Sequence, residues 1–339
     1  MKFSTVEQAV QNLNLGEVIG LPTETVYGLA AKIDNPVAIE KIFKIKQRPF
    51  FDPLIVHVAS NEQARSLVVE WPIAAQVLSD IFWPGPLTLV LKKNNLVSDL
   101  ITSGLDSVGL RWPNHPIAQE IIKKARVPLA APSANRFGKT SPTMAAHVYS
   151  EFPNQNLAIV DGGSCQVGIE STVVLLKKEI DLTWSFSILR PGFISLKQIK
   201  VVFDSENIKI NYAESIDKKQ SPGHLKHHYM PAKPLIVSLR ENMSDAEILK
   251  IYNEKISLLP DQVDGVKILK PAGYNLKITH IELPSDSHLA ARLLYSELRI
   301  KAEEPGDILL FKNANHNTKD ELWSAIFERI SKAATLIVP

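Results

Sequence analysis

One cysteine, Cys165, in 339 residues excludes an internal disulfide and any cysteine-rich metal site. Long apolar runs are missing as well, since no stretch approaches the ~18 consecutive apolar residues that would suggest a membrane span. The first residues, MKFSTVEQAVQNLNLG, read as a short amphipathic helix without the apolar core of a signal peptide, so a cytoplasmic protein is expected. Neither charge sign is in excess. Lys plus Arg is 38 against 36 for Asp plus Glu, so net charge says nothing about a nucleic-acid partner, although a local basic cluster can still focus a field in a cleft. There is no GxxxxGK[ST] phosphate loop and no GxGxxG fingerprint, so a nucleotide has to bind in another way. HExxH and GxSxG are absent too.

What is present is ordinary soluble material, 45% hydrophobic and 22% charged, with enough length for roughly two domains of about 100–200 residues each. Strand-like runs at EVIGLP (17–22), PLIVHV (53–58), LTLVLKK (87–93), SVGLRWP (107–113), VPLAAPS (127–133), LAIVDGG (157–163), STVVLL (171–176) and SFSILRPG (185–192) alternate with helical patterns at 35–46, 61–82, 115–125 and 143–150. The mixture lacks strict βαβ regularity and predicts a mixed, twisted sheet with flanking helices over residues 1–200. From 201 to 231 the pattern loosens into a polar linker broken by Pro222, Gly223 and Pro231. From 232 to 339 cleaner βα alternation returns, with strands at PLIVSL, VKILK, ITHIELP, DILLFK and TLIV and with Ser244 as an N-cap. That predicts a smaller doubly wound, Rossmann-like α/β domain.

In the first domain, five strand ends run into polar, turn-rich segments: Thr23–Glu24–Thr25, Arg111, Ser133–Ala134–Asn135, Glu170–Ser171–Thr172 and Arg190. Singly, each has an unremarkable reading as a turn, a cap or a surface guanidinium, and His57 alone reads as a satisfied core histidine. Lys44, Lys46 and Arg48 also suit a helix C-terminus, whose unpaired carbonyls attract cations. Together, Lys46, Arg48, Arg111 and Arg190 amid small hydroxyls suit a polyanion better than a neutral ligand. Arg48 precedes Pro49 and is expected to be extended. If the chain is extended from Lys46 onward, both cations share one face, whereas a helix would set them nearly opposite. The HLKHH run (224–228) has helical metal-ligand spacing but no partner cysteine or nearby carboxylates, which weighs against zinc. Cys165 in GGSCQVG reads as loop filler ahead of a nucleophile.

The ordered segments LPTETVYGLAA, KIFKIKQRPFFDPLIVHV, FWPGPLTLVLKK, GLDSVGLRWPNHP, PLAAPSANRFGKTSPT, DGGSCQVGIESTVV and ILRPG together resemble the threonylcarbamoyl-AMP synthase (YrdC-like) family. SPGHLKHHYMP and the α/β domain after it resemble the longer, two-domain form, although the glycine-rich stretch usual before the last helix is absent here. The resemblance implies synthesis of L-threonylcarbamoyl-adenylate and pyrophosphate from L-threonine, bicarbonate (or CO2) and ATP. A separate threonylcarbamoyl-transferase complex then modifies the adenosine next to the anticodon of ANN-decoding tRNAs. Carried over by motif, it implies that Thr25, His57, Arg111, Ala131 and Ser171 bind threonine. Lys46, Arg48, Asp52, Ser107, Ser133, Asn135, Ser141, Arg190 and Tyr229 would face ATP, with Lys46 and Arg48 on the phosphates as the catalytic cations. Mg²⁺ would come with the ATP phosphates. Residues 201–231 would form a lid, Tyr229 folding over the nucleotide. Asp52 stands where the family often has Asn; an acid there repels phosphate unless it binds Mg²⁺ or turns away. Rival expectations are an RNA-binding module, the carbamoyl-transfer domain of hydrogenase maturation proteins, and a non-catalytic YrdC-like relative.

Overall fold

The computed structural model describes residues 3–214, 228–263, 266–271, 275–313 and 320–339. Most of the predicted linker, 215–227, and with it most of HLKHH, lies outside them. The chain divides into two units, Met1–Arg136 with Pro142–His224, and Phe137–Ser141 with Leu225–Pro339.

The first unit begins with helix α1 (Val6–Asn14), closed by a capping box in which Thr5 and Gln8 satisfy each other's backbone N–H groups. Its strands are β1 (Ile19–Leu21), β2 (Gly28–Lys32), β3 (Ile55–His57), β4 (Leu87–Lys92), β5 (Ser107–Arg111), β6 (Leu129–Ala130), β7 (Ala158–Ile159), β8 (Thr172–Lys178), β9 (Trp184–Arg190) and β10 (Asn211–Tyr212). They form one ten-stranded sheet in the order β10-β9-β8-β4-β5-β3-β6-β2-β1-β7. Pairing is mixed, as predicted: β3/β5 and β4/β8 are parallel, whereas β4/β5, β3/β6 and β8/β9 are antiparallel. The other helices are α2 (Pro36–Lys46), α3 (Asn61–Arg65), α4 (Ile73–Phe82), α5 (Asp99–Thr102), α6 (Pro116–Ala125), α7 (Ala145–Glu151) and α8 (Leu196–Ser205). One core cluster gathers Leu29, Ile42, Phe43, Val56, Leu89, Leu110 and Val174 from strands and helices alike. A second packs α1 and α6 with β1 through Leu13, Ile19 and Ile121.

Four local expectations need correction. The helical pattern at 61–82 is two helices: the first ends at Arg65, Val68 forms an isolated bridge to Lys93, and Pro72 then serves as the N-cap of α4. Strand β2 went unread because GLAAK carries small residues where strands usually show branched ones. Helix α8 occupies part of what read as loosening sequence, with a Ser195/Gln198 capping box at its start. Lys46 is not extended: it is the last residue of α2, and Gln47 turns the chain in the left-handed region at φ 54°. The N–H of Arg48 then donates back to Phe43 O at 2.9 Å, so the helix-end reading of these cations is part of the answer.

In the second unit, strands β11 (Leu235–Ser238), β14 (Ile278–Ile281), β15 (Ile308–Lys312) and β16 (Leu336–Val338) form an all-parallel sheet in the order β14-β15-β11-β16. Between the first two comes a separate antiparallel pair, β12 (Gln262–Val263) and β13 (Val266–Lys267). VKILK is therefore not a strand of the main sheet. Helix α9 (Asp245–Ile256) is capped by Ser244 as expected; α10 (Ser287–Glu303) and α11 (Glu321–Ala333) follow. The chain steps one way from β11 to β14 and the other way through β15 to β16. With right-handed crossovers, that reversal puts α9 on one face and α10 and α11 on the other, the doubly wound arrangement.

Candidate active site

The PTET turn is fixed from within. The Thr23 hydroxyl donates to Val26 O (2.6 Å) and accepts from the N–H of Thr25 (3.2 Å), with the Thr25 hydroxyl 3.0 Å away. This leaves Glu24 and Thr25 buried beside the strand ends. His57 and Arg111, the last residues of β3 and β5, are direct register partners, and the N–H of Ala131 donates to Ile55 O at 3.0 Å. Arg111 Nη2 lies 2.7 Å from Glu24 Oε2, an ion pair between two buried groups that is not aligned as a hydrogen bond. Arg111 Nε donates to Gly85 O at 3.3 Å. Burial, and after it the positive charge of Arg111, drives the His57 pKa down to about 3. His57 Nδ1 sits 3.3 Å from Ile55 O, and a carbonyl can only accept, so the proton belongs on Nδ1 and Nε2 is left as an acceptor.

Ser171, just ahead of β8, has its hydroxyl 2.7 Å from that of Thr88. Arg190, at the end of β9, donates from Nε to Ser171 O (3.1 Å) and from Nη2 to Ser171 Oγ (3.2 Å). The RPG segment passes so close that a Cβ on Gly192 would meet the Thr172 amide nitrogen at 2.5 Å and Glu170 O at 2.8 Å. Only glycine lets Arg190 and Ser171 approach in this way.

At the end of α2, the Lys46 ammonium donates to Ser133 O and to Asn135 O, the latter at 2.5 Å, so the PSAN loop wraps the cation with its carbonyls. Complete burial, with Arg48 adding to it, pushes the Lys46 pKa well below that of a free lysine; Glu151 and Asp52 oppose the shift. Arg48 donates from Nε to Asp52 O (3.1 Å) and from Nη2 to Pro53 O (2.9 Å), and its Nη2 lies 2.8 Å from Asp52 Oδ2. Asp52, fully buried, is thus the counter-ion of Arg48, which resolves how an acid sits here.

Other candidates are less connected. Ser107, at the opposite end of β5 from Arg111, has a buried hydroxyl without a hydrogen-bond partner among the described residues, at a cavity of about 530 Å³ that includes Lys92 and Trp184. Ser141 and Tyr229 belong to the second unit, where the Thr140 hydroxyl donates to Tyr229 O at 3.0 Å and the Tyr229 ring stacks on Tyr295 at 5.5 Å. Cys165 is buried and its thiol pKa is pushed up by burial and by Glu24, which suits filler and not a nucleophile. Sequence reasoning missed the pairing of Glu24 with Arg111, and missed Thr88 entirely. Glu24 was in view as a strand-end residue, but nothing in spacing ties it to a residue 87 positions away.

A family model described as "Telomere recombination" (Sua5, YciO and YrdC) matches residues 11–192, and one described as "Threonylcarbamoyl-AMP synthase, C-terminal domain" matches 194–335. The threonylcarbamoyl-AMP synthase of Pyrococcus abyssi is 38% identical over 94% of this chain and 91% of its own length, and that of Schizosaccharomyces pombe is 32% identical over 98% and 89%. The crystal structure of P. abyssi Sua5 complexed with L-threonine superposes with a TM-score of 0.78 at 34% identity, covering 98% of this chain and 96% of that one. Family models that together span nearly the whole chain and full-length relatives above 30% identity give one answer: the chain belongs to the threonylcarbamoyl-AMP synthase family, in its long two-part form.

Proposed function

We propose that the threonylcarbamoyl-AMP synthase reaction runs in this chain on the residues of the first unit just described. L-Threonine lies against Thr25, His57, Arg111, Ala131 and Ser171, its carboxylate on Arg111. ATP is held by Lys46, Arg48, Ser133, Asn135 and Arg190. The threonine amine adds to CO2 with loss of a proton, or condenses with bicarbonate with loss of water, to give a carbamate. A carbamate oxygen then attacks the α-phosphorus, the bond to the bridging oxygen breaks, and pyrophosphate leaves. No protein nucleophile is needed, so the work is positioning two anions and stabilising charge on the phosphate. The neutral His57, with Nε2 as acceptor, suits the threonine hydroxyl. The observation that carries the reading is the buried row of His57, Arg111, Ser171 and Arg190 at strand ends, beside a lysine wrapped by the PSAN carbonyls.

Among the described residues no group of three or more His, Cys, Asp or Glu could hold a metal, and the two site acids, Glu24 and Asp52, each face an arginine. In this proposal Mg²⁺ belongs to the ATP substrate, and no step is assigned to it. The adenylate would pass to a threonylcarbamoyl-transferase complex acting on tRNA, in the cytoplasm. Among the described residues no helix is long and apolar enough to cross a membrane.

The test is pyrophosphate release with ATP, Mg²⁺, bicarbonate and each of L-threonine, L-serine or no amino acid, with mass spectrometry of the quenched mixture. Threonine-dependent release with the threonylcarbamoyl adenylate present is the expected result. Release indifferent to threonine, or none from folded protein that binds ATP, overturns the proposal.

A further inference from the structure

Glu24 has no place among the binding residues above, yet it is the acid set against Arg111. Both groups are almost wholly buried, at 5% and 4% exposure, and a buried carboxylate costs several kcal/mol unless its charge is met. Arg111 meets it through Oε2 at 2.7 Å. The second oxygen, Oε1, has no hydrogen-bond partner among the described residues. The backbone around it is pinned, by the Thr23 turn and by the N–H of Val167 donating to Glu24 O at 2.8 Å, so the carboxylate is held where it is. Three titratable groups near the pair are held uncharged at neutral pH. Burial lowers the pKa of His57 and of His115 and raises that of the Cys165 thiol. Arg111 and Glu24 are thus opposed charges set against each other in the threonine side of the site. A lone carboxylate entering it adds an uncompensated negative charge beside Glu24. A zwitterion brings a charge for each partner.

We propose that Glu24 is the residue that recognises the substrate's α-ammonium group. Its Oε2 orients Arg111 for the substrate carboxylate, and its Oε1 accepts a hydrogen bond from the ammonium, so the pocket takes zwitterionic α-amino acids and rejects the deaminated acid. This rests on the reading that Arg111 binds the substrate carboxylate. Calorimetric titration of the full chain with L-threonine and with 3-hydroxybutanoate, which lacks only the amine, separates the two claims. The wild-type protein should prefer threonine by at least roughly tenfold. Glu24→Gln should weaken threonine by roughly ten- to a hundredfold, the worth of a hydrogen bond to a charged group, and tighten 3-hydroxybutanoate, collapsing the preference. Glu24→Asp, which keeps the charge, should keep the preference even where both affinities fall, and it stands in should Glu24→Gln not fold. A parallel change in both ligands, or no change, overturns the role of Glu24, since a merely structural carboxylate moves both together. Arg111→Gln separates the two readings: unchanged threonine binding there overturns the carboxylate assignment itself, whereas lost binding there with a parallel Glu24→Gln response overturns only the present inference.

Discussion

His57 should remain uncharged at every pH at which the fold survives. Burial, then Arg111, brings its pKa down to about 3, against about 6.5 for a histidine in an unfolded chain. Between those values the unfolded chain binds a proton that the folded chain does not, so stability rises with pH through this window. The contribution is full above about 6.5 and is lost as pH falls toward 3. At pH 5 the loss from this one site is about 2 kcal/mol, taking about 1.36 kcal/mol per pH unit. His57→Gln removes the titrating group. Urea unfolding followed by tryptophan fluorescence at pH 7 and pH 5 should therefore show the wild-type protein losing about 2 kcal/mol more than the variant. Trp71, Trp83, Trp112 and Trp184 all report on the first unit. His115, whose pKa burial also lowers, is common to both proteins and cancels in the difference. The His57 Cε1 proton shift should stay flat from pH 8 to pH 5. Equal losses in the two proteins, or a His57 midpoint near 6.5, refute the reasoning.

Three more outcomes are expected. Arg48→Gln leaves Asp52 as an unpaired buried charge and should destabilise the protein by roughly 3–5 kcal/mol, with Arg48→Gln/Asp52→Asn recovering part of that loss; a double variant no better than the single one breaks the pairing argument. Gly192→Ala forces a methyl against the backbone at Thr172 and Glu170, which should cost roughly 1–3 kcal/mol and raise the KM for threonine more than that for ATP, because Ser171 is displaced; unchanged steady-state kinetics count against this. Cys165, buried with its pKa raised, should resist iodoacetamide at pH 8 in native protein and react after unfolding, and fast native labelling would show the thiol to be accessible.

What could be read in advance follows the range of the forces involved. The alternation of PLIVHV, LTLVLKK and STVVLL, the Ser244 cap and the βα rhythm after residue 232 are local, and local pattern finds them. Strand β2 escaped because its sheet position is set by β1 and β6 and not by its own Gly and Ala side chains. VKILK looked like a sheet strand because composition does not say whether a short run finds a partner in the main sheet or in a hairpin. The basic cluster was visible, but its geometry was not. An extended chain was expected to align Lys46 with Arg48, and a left-handed Gln47 after a helix end does the turning. Asp52 looked anomalous as a neighbour of phosphate and becomes ordinary once its pairing with Arg48 is seen.

The same kind of pairing explains how so many cations can lie buried. Arg48 is met by Asp52, Arg111 by Glu24, Arg190 by the oxygens of Ser171, and Lys46 by two carbonyls of the PSAN loop. Each cation would be costly alone in a low-dielectric interior, and each has a counterpart, four residues on for Arg48 and from a more distant segment for the others. On the proposed reading, a substrate anion reaching these groups does not find bare charge. It enters a shell that is already satisfied and adds to or displaces existing partners, so its net gain is the difference between two bonded states. What such a site offers is geometry, since the position of every cation is set before the substrate arrives. For a reaction that needs two anions aligned and no covalent help from the protein, fixed geometry is the more useful property.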